Sequence, residues 1–230
     1  KKIKMDQLLS SFKIAIPEGA FIKDPETSVL GKKIITQGME LIYDMGFDGF
    51  TFKKLGIHIG SNESSIYRYF ENKHKFLLYL SSWYWAWIEY NLVMETHSIS
   101  DPKEKIIQAV NVLTRNVSND SSSTHINLVL LHKIMICEFS KSFLTKSVDR
   151  ENEQGLFVAY KRVHSRLQDF IKESNPDYTF SASLANTILS GALQQFYYKN
   201  HFPSLTDCSE KNEPSDYYTN LIHKTLFNES

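Results

Sequence analysis

The chain has 230 residues, 42% of them hydrophobic and 23% charged, the composition of a globular protein rather than a disordered or fibrous one. Its 26 Lys/Arg balance 26 Asp/Glu, so overall charge singles out no polyanionic partner. The only cysteines, Cys137 and Cys208, lie too far apart in sequence to suggest a disulfide framework or a zinc site.

The charge is unevenly placed. Residues 1–75 hold 12 Lys/Arg against 9 Asp/Glu, a net +3, and residues 76–230 hold 14 against 17, a net −3. A mildly basic front on an acidic back is the asymmetry of a nucleic-acid-binding head on a separate body. Residues 1–16 carry lysines but lack the continuous apolar stretch of a signal peptide. No apolar run approaches the ~18–20 residues that span a bilayer. A cytoplasmic location without a membrane partner is the expectation, and two distant cysteines suit a reducing compartment.

Residues 1–23 read as an N-terminal extension. Met5–Phe12 has the pattern of a short helix, and Pro17 and Gly19 break it. Asp24-Pro25-Glu26 signals a helix start: an N-cap type, a proline and an acidic first turn. Leu30, Ile34, Ile35, Met39, Leu41, Ile42 and Met45 keep helical spacing to Gly46, the predicted C-cap, with Phe47 and Phe50 as core plugs.

The next stretch, TFKKLGIHIGSNESSIYRYFENK (51–73), holds two short helical patterns and a turn. Leu55, Ile59, Ile66 and Phe70 are its apolar anchors, and Ile66 and Phe70 share one face. Gly60 stands where the reversal needs positive φ, followed by two N-cap types, Ser61 and Asn62. Ser64, Tyr67 and Arg68 fall opposite the anchors. A short second helix with an exposed polar face is what a helix-turn-helix offers the major groove.

Asn72 caps a long fourth helix from Lys73 to about residue 95. Lys73 in its first turn opposes the helix dipole, a conflict that a nearby phosphate would remove. Leu77, Leu80, Tyr84, Trp87 and Ile88 form one stripe, with Tyr79, Trp83 and Tyr90 off it. A helix apolar on most sides is buried on most sides.

Asp101–Pro102 opens another helix, and residues 118–125 are a polar loop. Residues 126–143 read as one buried helix. Residues 146–155 are polar, and 156–171 are helical up to the break at Asn175–Pro176. Residues 180–199 carry an apolar stripe (Ala185, Leu189, Ala192, Phe196) and a small-residue stripe (Ser183, Thr187, Gly191). The last helix spans 215–227, with Tyr218, Leu221, Ile222 and Leu226 apolar.

GSNESSIYRYFENKHKFL resembles the core of the TetR/AcrR family of bacterial transcriptional regulators. Gly60, Ile66, Tyr67, Tyr69, Phe70, Lys73 and Leu77 all fall in the family's register, and MELIYDMGFDGFTFKKL upstream is similar to its first helix and the start of its second. The resemblance covers about residues 30–80. Ser61–Asn62 replace the common Val–Ser, Gly56 and Ile59 stand where Ala is usual, and Glu63 stands at a frequent Lys, which leaves the operator sequence open.

The resemblance implies an all-α protein: a three-helix helix-turn-helix DNA-binding head (24–72) joined to a larger helical ligand-binding and dimerisation body (73–230). It implies a ligand-responsive regulator, a repressor, that binds a double-stranded palindromic operator as a homodimer. Thr51, Tyr67 and Lys73 would then hold phosphates, and Glu63, Ser64 and Tyr69 would sit nearest base edges, with Lys53, Asn62 and Arg68 completing the DNA-binding set. Glu63 also reads as a dipole-favouring residue, Thr51 as a helix cap, and Lys1, Lys2 and Lys4 as a basic arm. Dimer contacts are expected at Ser183, Thr187, Gly191, Gln194, Leu221 and Ile222, where packing within one protomer is the competing reading.

An effector pocket is expected among Trp83, Trp87, Tyr90, His132, Tyr160 and His164. The aromatic lining points to a hydrophobic or planar small molecule. For the histidines the competing reading is a satisfied core position, and Glu138 and Arg115 are further polar candidates. No P-loop, Rossmann fingerprint, HExxH or GxSxG is present, so no enzyme activity, cofactor or metal is expected. The rival readings are a helical small-molecule-binding protein or enzyme using an aromatic cavity, and a helical interaction protein.

Overall fold

A computed structural model describes residues 16–117 and 126–227. The expected Met5–Phe12 helix, the lysines at positions 1, 2 and 4 and the polar loop 118–125 lie outside the described residues. Every regular element among the described residues is helical. In chain order these are α1 (Val29–Gly49), α2 (Phe52–Ile59), α3 (Glu63–Tyr67), α4 (Lys73–Thr96), α5 (Pro102–Thr114), α6 (Leu128–Phe143), α7 (Val148–Glu153), α8 (Val158–Ser174), α9 (Ser181–His201) and α10 (Pro214–Leu226). Three single 3-10 turns, Glu18–Ala20, Pro25–Thr27 and Pro203–Leu205, complete the set.

The predicted helix start at Asp24 is a 3-10 turn instead. Asp24 accepts a bond from the Glu26 amide and caps that turn, but Ser28 is extended (φ −146°) and its hydroxyl accepts from the Gly31 amide. That second cap sets the start of α1 at Val29. Its regular winding stops at Gly46 (φ 73°), beyond which one further turn runs to Gly49.

The contacts divide the chain into two compact units. One groups the described residues of Lys1–Tyr84 and Val117–Val158, the other those of Trp85–Asn116 and Ala159–Ser230. Helix α4 runs from one into the other, so the division falls inside a helix and not in a linker.

In the first unit, α1, α2, α3 and the first half of α4 close around Ile34, Ile35, Leu55, Ile66, Phe70 and Phe76, all fully buried. Each such side chain contributes roughly 1.5–3 kcal/mol by leaving water. Phe76 stacks on Phe50 (5.7 Å) and meets Phe70 edge-on (5.0 Å). Every residue from Lys75 to Ala86 is buried, as the all-round apolar pattern requires. Helix α6 packs on α1, burying Leu131, Ile134, Met135 and Phe139.

In the second unit, α10 and α9 each pack on α5. Their cores are Ile106, Ala109 and Val110 of α5, Ala185, Leu189, Ala192 and Phe196 of α9, and Tyr218, Ile222 and Leu226 of α10. Glu89 of α4 is nearly buried and is gripped by two arginines of α8, Arg162 at 2.7 Å and Arg166 at 3.0 Å.

Candidate nucleic-acid interface

Helices α2 and α3 are joined by a turn held by local bonds and by Lys33 of α1, which donates to the Ile59 carbonyl (2.8 Å). The Thr51 hydroxyl accepts from the Lys54 amide (3.2 Å) and caps α2. Gly60 is left-handed (φ 67°, ψ 36°), and the amides of Gly60 and Ser61 return to the carbonyls of Ile57 and Gly56. A side chain at Gly60 would pay for that φ. The Asn62 side-chain oxygen then accepts from both the amide and the hydroxyl of Ser65, each at 2.8 Å, and starts α3. Leu55, Ile59, Ile66 and Phe70 are all buried beneath.

The opposite face is open to solvent. Thr51, Lys53, Asn62, Ser64, Tyr67 and Arg68 are exposed, and Glu63 is half-exposed. Tyr67 lies edge-on to Phe52 (5.2 Å) and donates its hydroxyl to Glu63 (3.2 Å). The face therefore presents two cations, hydroxyls and an amide on a short, buried-anchored helix pair. That set suits phosphate oxygens and base edges.

Two expected members of the set face elsewhere. Tyr69, expected near base edges, is only 4% exposed. Its hydroxyl shares a hydrogen bond with Ser28 (2.8 Å), its carbonyl accepts from the Ile22 amide (2.7 Å), and the Lys23 ammonium lies over its ring (5.2 Å). Position 69 follows the winding of α3 onto the anchor side, beside Phe70. Lys73, expected on a phosphate, donates instead to the carbonyls of Phe47 (2.9 Å), Asp48 (3.2 Å) and Phe50 (3.1 Å) and lies over the Phe47 ring (4.8 Å). An ammonium has three donors, and these carbonyls take them all. The predicted dipole conflict is resolved by the carbonyl end of α1.

The N-terminal strap was not anticipated as a support of this face. Glu26 accepts from the Tyr79 hydroxyl (2.9 Å), and Phe21 meets the Tyr79 ring edge-on (6.2 Å). Desolvation, then the Glu26 carboxylate, holds the Tyr79 hydroxyl far above the usual phenol range. The only sequence hint was the apolar pair Phe21–Ile22 beside a helix-start signal.

The six expected pocket residues are divided between the two units. Trp83 and His132 belong to the first unit, and Trp87, Tyr90, Tyr160 and His164 to the second. His132 is buried and shares a 3.0 Å hydrogen bond through Nδ1 with Tyr84, and burial pushes its pKa down to about 4. Tyr160 donates to Asn186 (2.9 Å), and His164 donates to the Ala182 carbonyl (3.0 Å). Trp85, not singled out beforehand, meets the Tyr160 ring at 4.8 Å. An open cleft of about 550 Å³ lies in the first unit, lined by Phe47, Asp48, Asn72, His74, Ser140, Lys141, Leu144, Thr145 and Ser147, none of them an expected pocket residue.

Of the expected dimer residues, Ser183, Thr187 and Gln194 are exposed on α9 and Leu221 is half-buried. Ile222 is fully buried within the second unit. At Gly191 an added Cβ would collide with the Tyr218 hydroxyl, so the smallest residue of the stripe serves the approach of α10 inside one protomer. Ile222 is core, because α10 spends that stripe on α9 and α5, and Gly191 is half-buried.

The geometry of α2, the Gly60 turn and α3 is that of a helix-turn-helix. Residues 34–80 match the family model described as bacterial regulatory proteins, tetR family. No curated protein matches the chain. The fold resembles that of AibR in its crystal structure in complex with isovaleryl coenzyme A and operator DNA, with a TM-score of 0.54 and 12% identity over 86% of this chain and 100% of that one. Apo AibR aligns with a TM-score of 0.49 and 13% identity over 85% and 97%. No helix among the described residues is long and apolar enough to cross a membrane.

Proposed function

We propose that this chain is a ligand-responsive transcriptional regulator, a repressor, that binds a palindromic operator as a homodimer in the cytoplasm and catalyses no reaction. One observation carries the reading: within the segment that matches the tetR family, Lys53, Ser64, Tyr67 and Arg68 stand exposed on a helix pair whose other face is wholly buried. The similar fold of AibR, seen in complex with isovaleryl coenzyme A and operator DNA, is in keeping with it.

We assign DNA binding to residues 24–72, and effector binding and dimerisation to 73–230. Thr51, Lys53 and Tyr67 hold phosphates, and Glu63, Ser64 and Arg68 lie nearest the bases. Two heads engage a palindrome when their recognition helices are about one DNA turn (~34–36 Å) apart. An effector releases the DNA only if it binds the other spacing more tightly. We place the effector against the half-buried aromatic residues Trp87, Tyr90 and Tyr160, and the dimer contact on the exposed Ser183, Thr187 and Gln194.

The test is selection of genomic fragments by the purified chain at low salt. A recovered palindrome, bound less tightly as salt rises, supports the reading. Recovery of no preferred sequence overturns it.

A further inference from the structure

The segment between α1 and α2 is held from outside itself. After Gly46 turns to positive φ, the Phe47 amide donates to Glu138 Oε1 of α6 at 2.9 Å, a buried bond across 91 positions of sequence. The other carboxylate oxygen of Glu138 pairs with Lys141 at 2.9 Å, and Lys141 reaches Asp48 at 2.7 Å. From α4, Lys73 takes the carbonyls of Phe47, Asp48 and Phe50. From helices outside the three-helix head, an anion therefore holds the Phe47 amide and a cation three carbonyls, while Lys54 of α2 takes that of Gly49 (2.8 Å).

Glu138 sits on the buried face of α6, in line with Leu131, Ile134 and Met135. Burying a carboxylate costs stability unless it is paired and bonded, and an apolar residue of similar size serves packing as well or better. What the carboxylate adds is direction: a charged acceptor fixes the Phe47 amide within a few tenths of an ångström. The amide belongs to the corner from which α2, and then α3, depart.

We propose that Glu138 is a positioning residue for DNA binding: through the Phe47 amide, α6 sets the angle at which the helix pair leaves α1. This rests on the regulator reading given above. Glu138 touches no DNA in this scheme. It acts through the corner, while Lys141 and Asp48, on the wall of the open cleft, form the outer and wetter part of the clamp.

The test uses the full chain and the DNA fragment that the wild-type chain selects. Glu138→Leu fills the same space without an acceptor, and Glu138→Gln keeps a carbonyl that can take the Phe47 amide. E138L is expected to lose about tenfold or more of its preference for the selected fragment over unrelated DNA, the size of a lost bond to a charged acceptor. Its low-salt binding to unrelated DNA should stay within about twofold, because that binding counts phosphates and not angles. E138Q should keep most of the preference. A merely structural role would lower both affinities together. E138L with wild-type preference overturns the proposal.

Hydrogen exchange at the Phe47 amide tests the clamp without DNA. It should quicken about tenfold or more in E138L, as protection follows the free energy of local opening, and unchanged exchange overturns the clamp. If the wild-type chain selects no sequence, the regulator reading fails by itself. The exchange result then still rules on the clamp.

Discussion

The head has two corners, and they draw on different parts of the chain. The corner between α2 and α3 closes within the three helices: Gly60 supplies the left-handed turn, the Gly56 and Ile57 carbonyls take the next amides, Asn62 caps the helix that follows, and Lys33 of α1 takes the Ile59 carbonyl. The corner between α1 and α2 also begins at a positive-φ glycine, Gly46, but depends on Glu138 and Lys73 for its amide and three of its carbonyls. The first corner fixes a motif that any context must preserve. The second hands the motif's direction to the rest of the molecule. On the proposed reading the first corner is the reader and the second its mount.

The two corners should fail differently. The largest effect is expected with acid. Burial lowers the His132 pKa from 6.5 to about 4, so between those values the unfolded chain binds the proton more tightly than the folded one. Stability falls as pH drops through that window, by about 3 kcal/mol in total, and levels off below it. Because the Tyr84–His132 bond joins α4 to α6, the helices that supply Lys73 and Glu138, the protection of the Phe47 amide against exchange, relative to the intrinsic rate at each pH, should fall in this range before that of Ser65. Denaturation at several pH values, repeated on His132→Gln, checks it; a slope that survives the substitution assigns the effect elsewhere.

Next in size, Lys73→Met strips the second corner of its cation. A loss of about 2 kcal/mol is expected from hydrogen bonds to a charged donor, read as a lower urea midpoint with an unchanged slope. Were Lys73 chiefly a phosphate contact, stability would hold and only DNA affinity would fall. At the first corner, Gly60→Ala and Asn62→Ala should each cost about 1 kcal/mol, the one for left-handed strain and the other for a lost cap. Their amide exchange should rise in α2 and α3 and stay as it was at Phe47.

The smallest effect on folding comes from the exposed face. Arg68→Ala should leave stability within about 0.5 kcal/mol while weakening operator binding. If Arg68 meets a phosphate, the salt slope drops by about one and affinity falls alike for all sequences; if it meets a base, discrimination at one position falls by about 1–3 kcal/mol. Titrations of matched and mismatched fragments at several salt concentrations separate the two.

The same contrast governs what the sequence alone could reveal. Helices α2 and α3, Gly60, the Asn62 cap and the buried Leu55, Ile59, Ile66 and Phe70 were legible because each signal lies within four residues of its effect. Ser64, Tyr67 and Arg68 were legible as the exposed face for the same reason. Tyr69 and Lys73 were misread because their partners, Ser28 and the carbonyls of 47–50, lie 23 to 41 positions away. Glu138 stood out only as a polar residue in an apolar helix, and no periodicity says which amide it will meet. On α10, Ile222 showed the right stripe, but spacing cannot tell a helix of the same chain from one of a second copy.

The brevity of α3 carries a last consequence. Five residues (Glu63–Tyr67) at 1.5 Å each cover about 7.5 Å, little more than two base-pair steps of 3.4 Å. Two steps with four distinguishable pairs each spell about 16 words, far too few to find one address among the ~10⁶–10⁹ competing sites of a genome. On the proposed reading, the vocabulary must come from punctuation: the gap between two copies of the word carries as much of the address as the word itself, and setting that gap is the task of the mount.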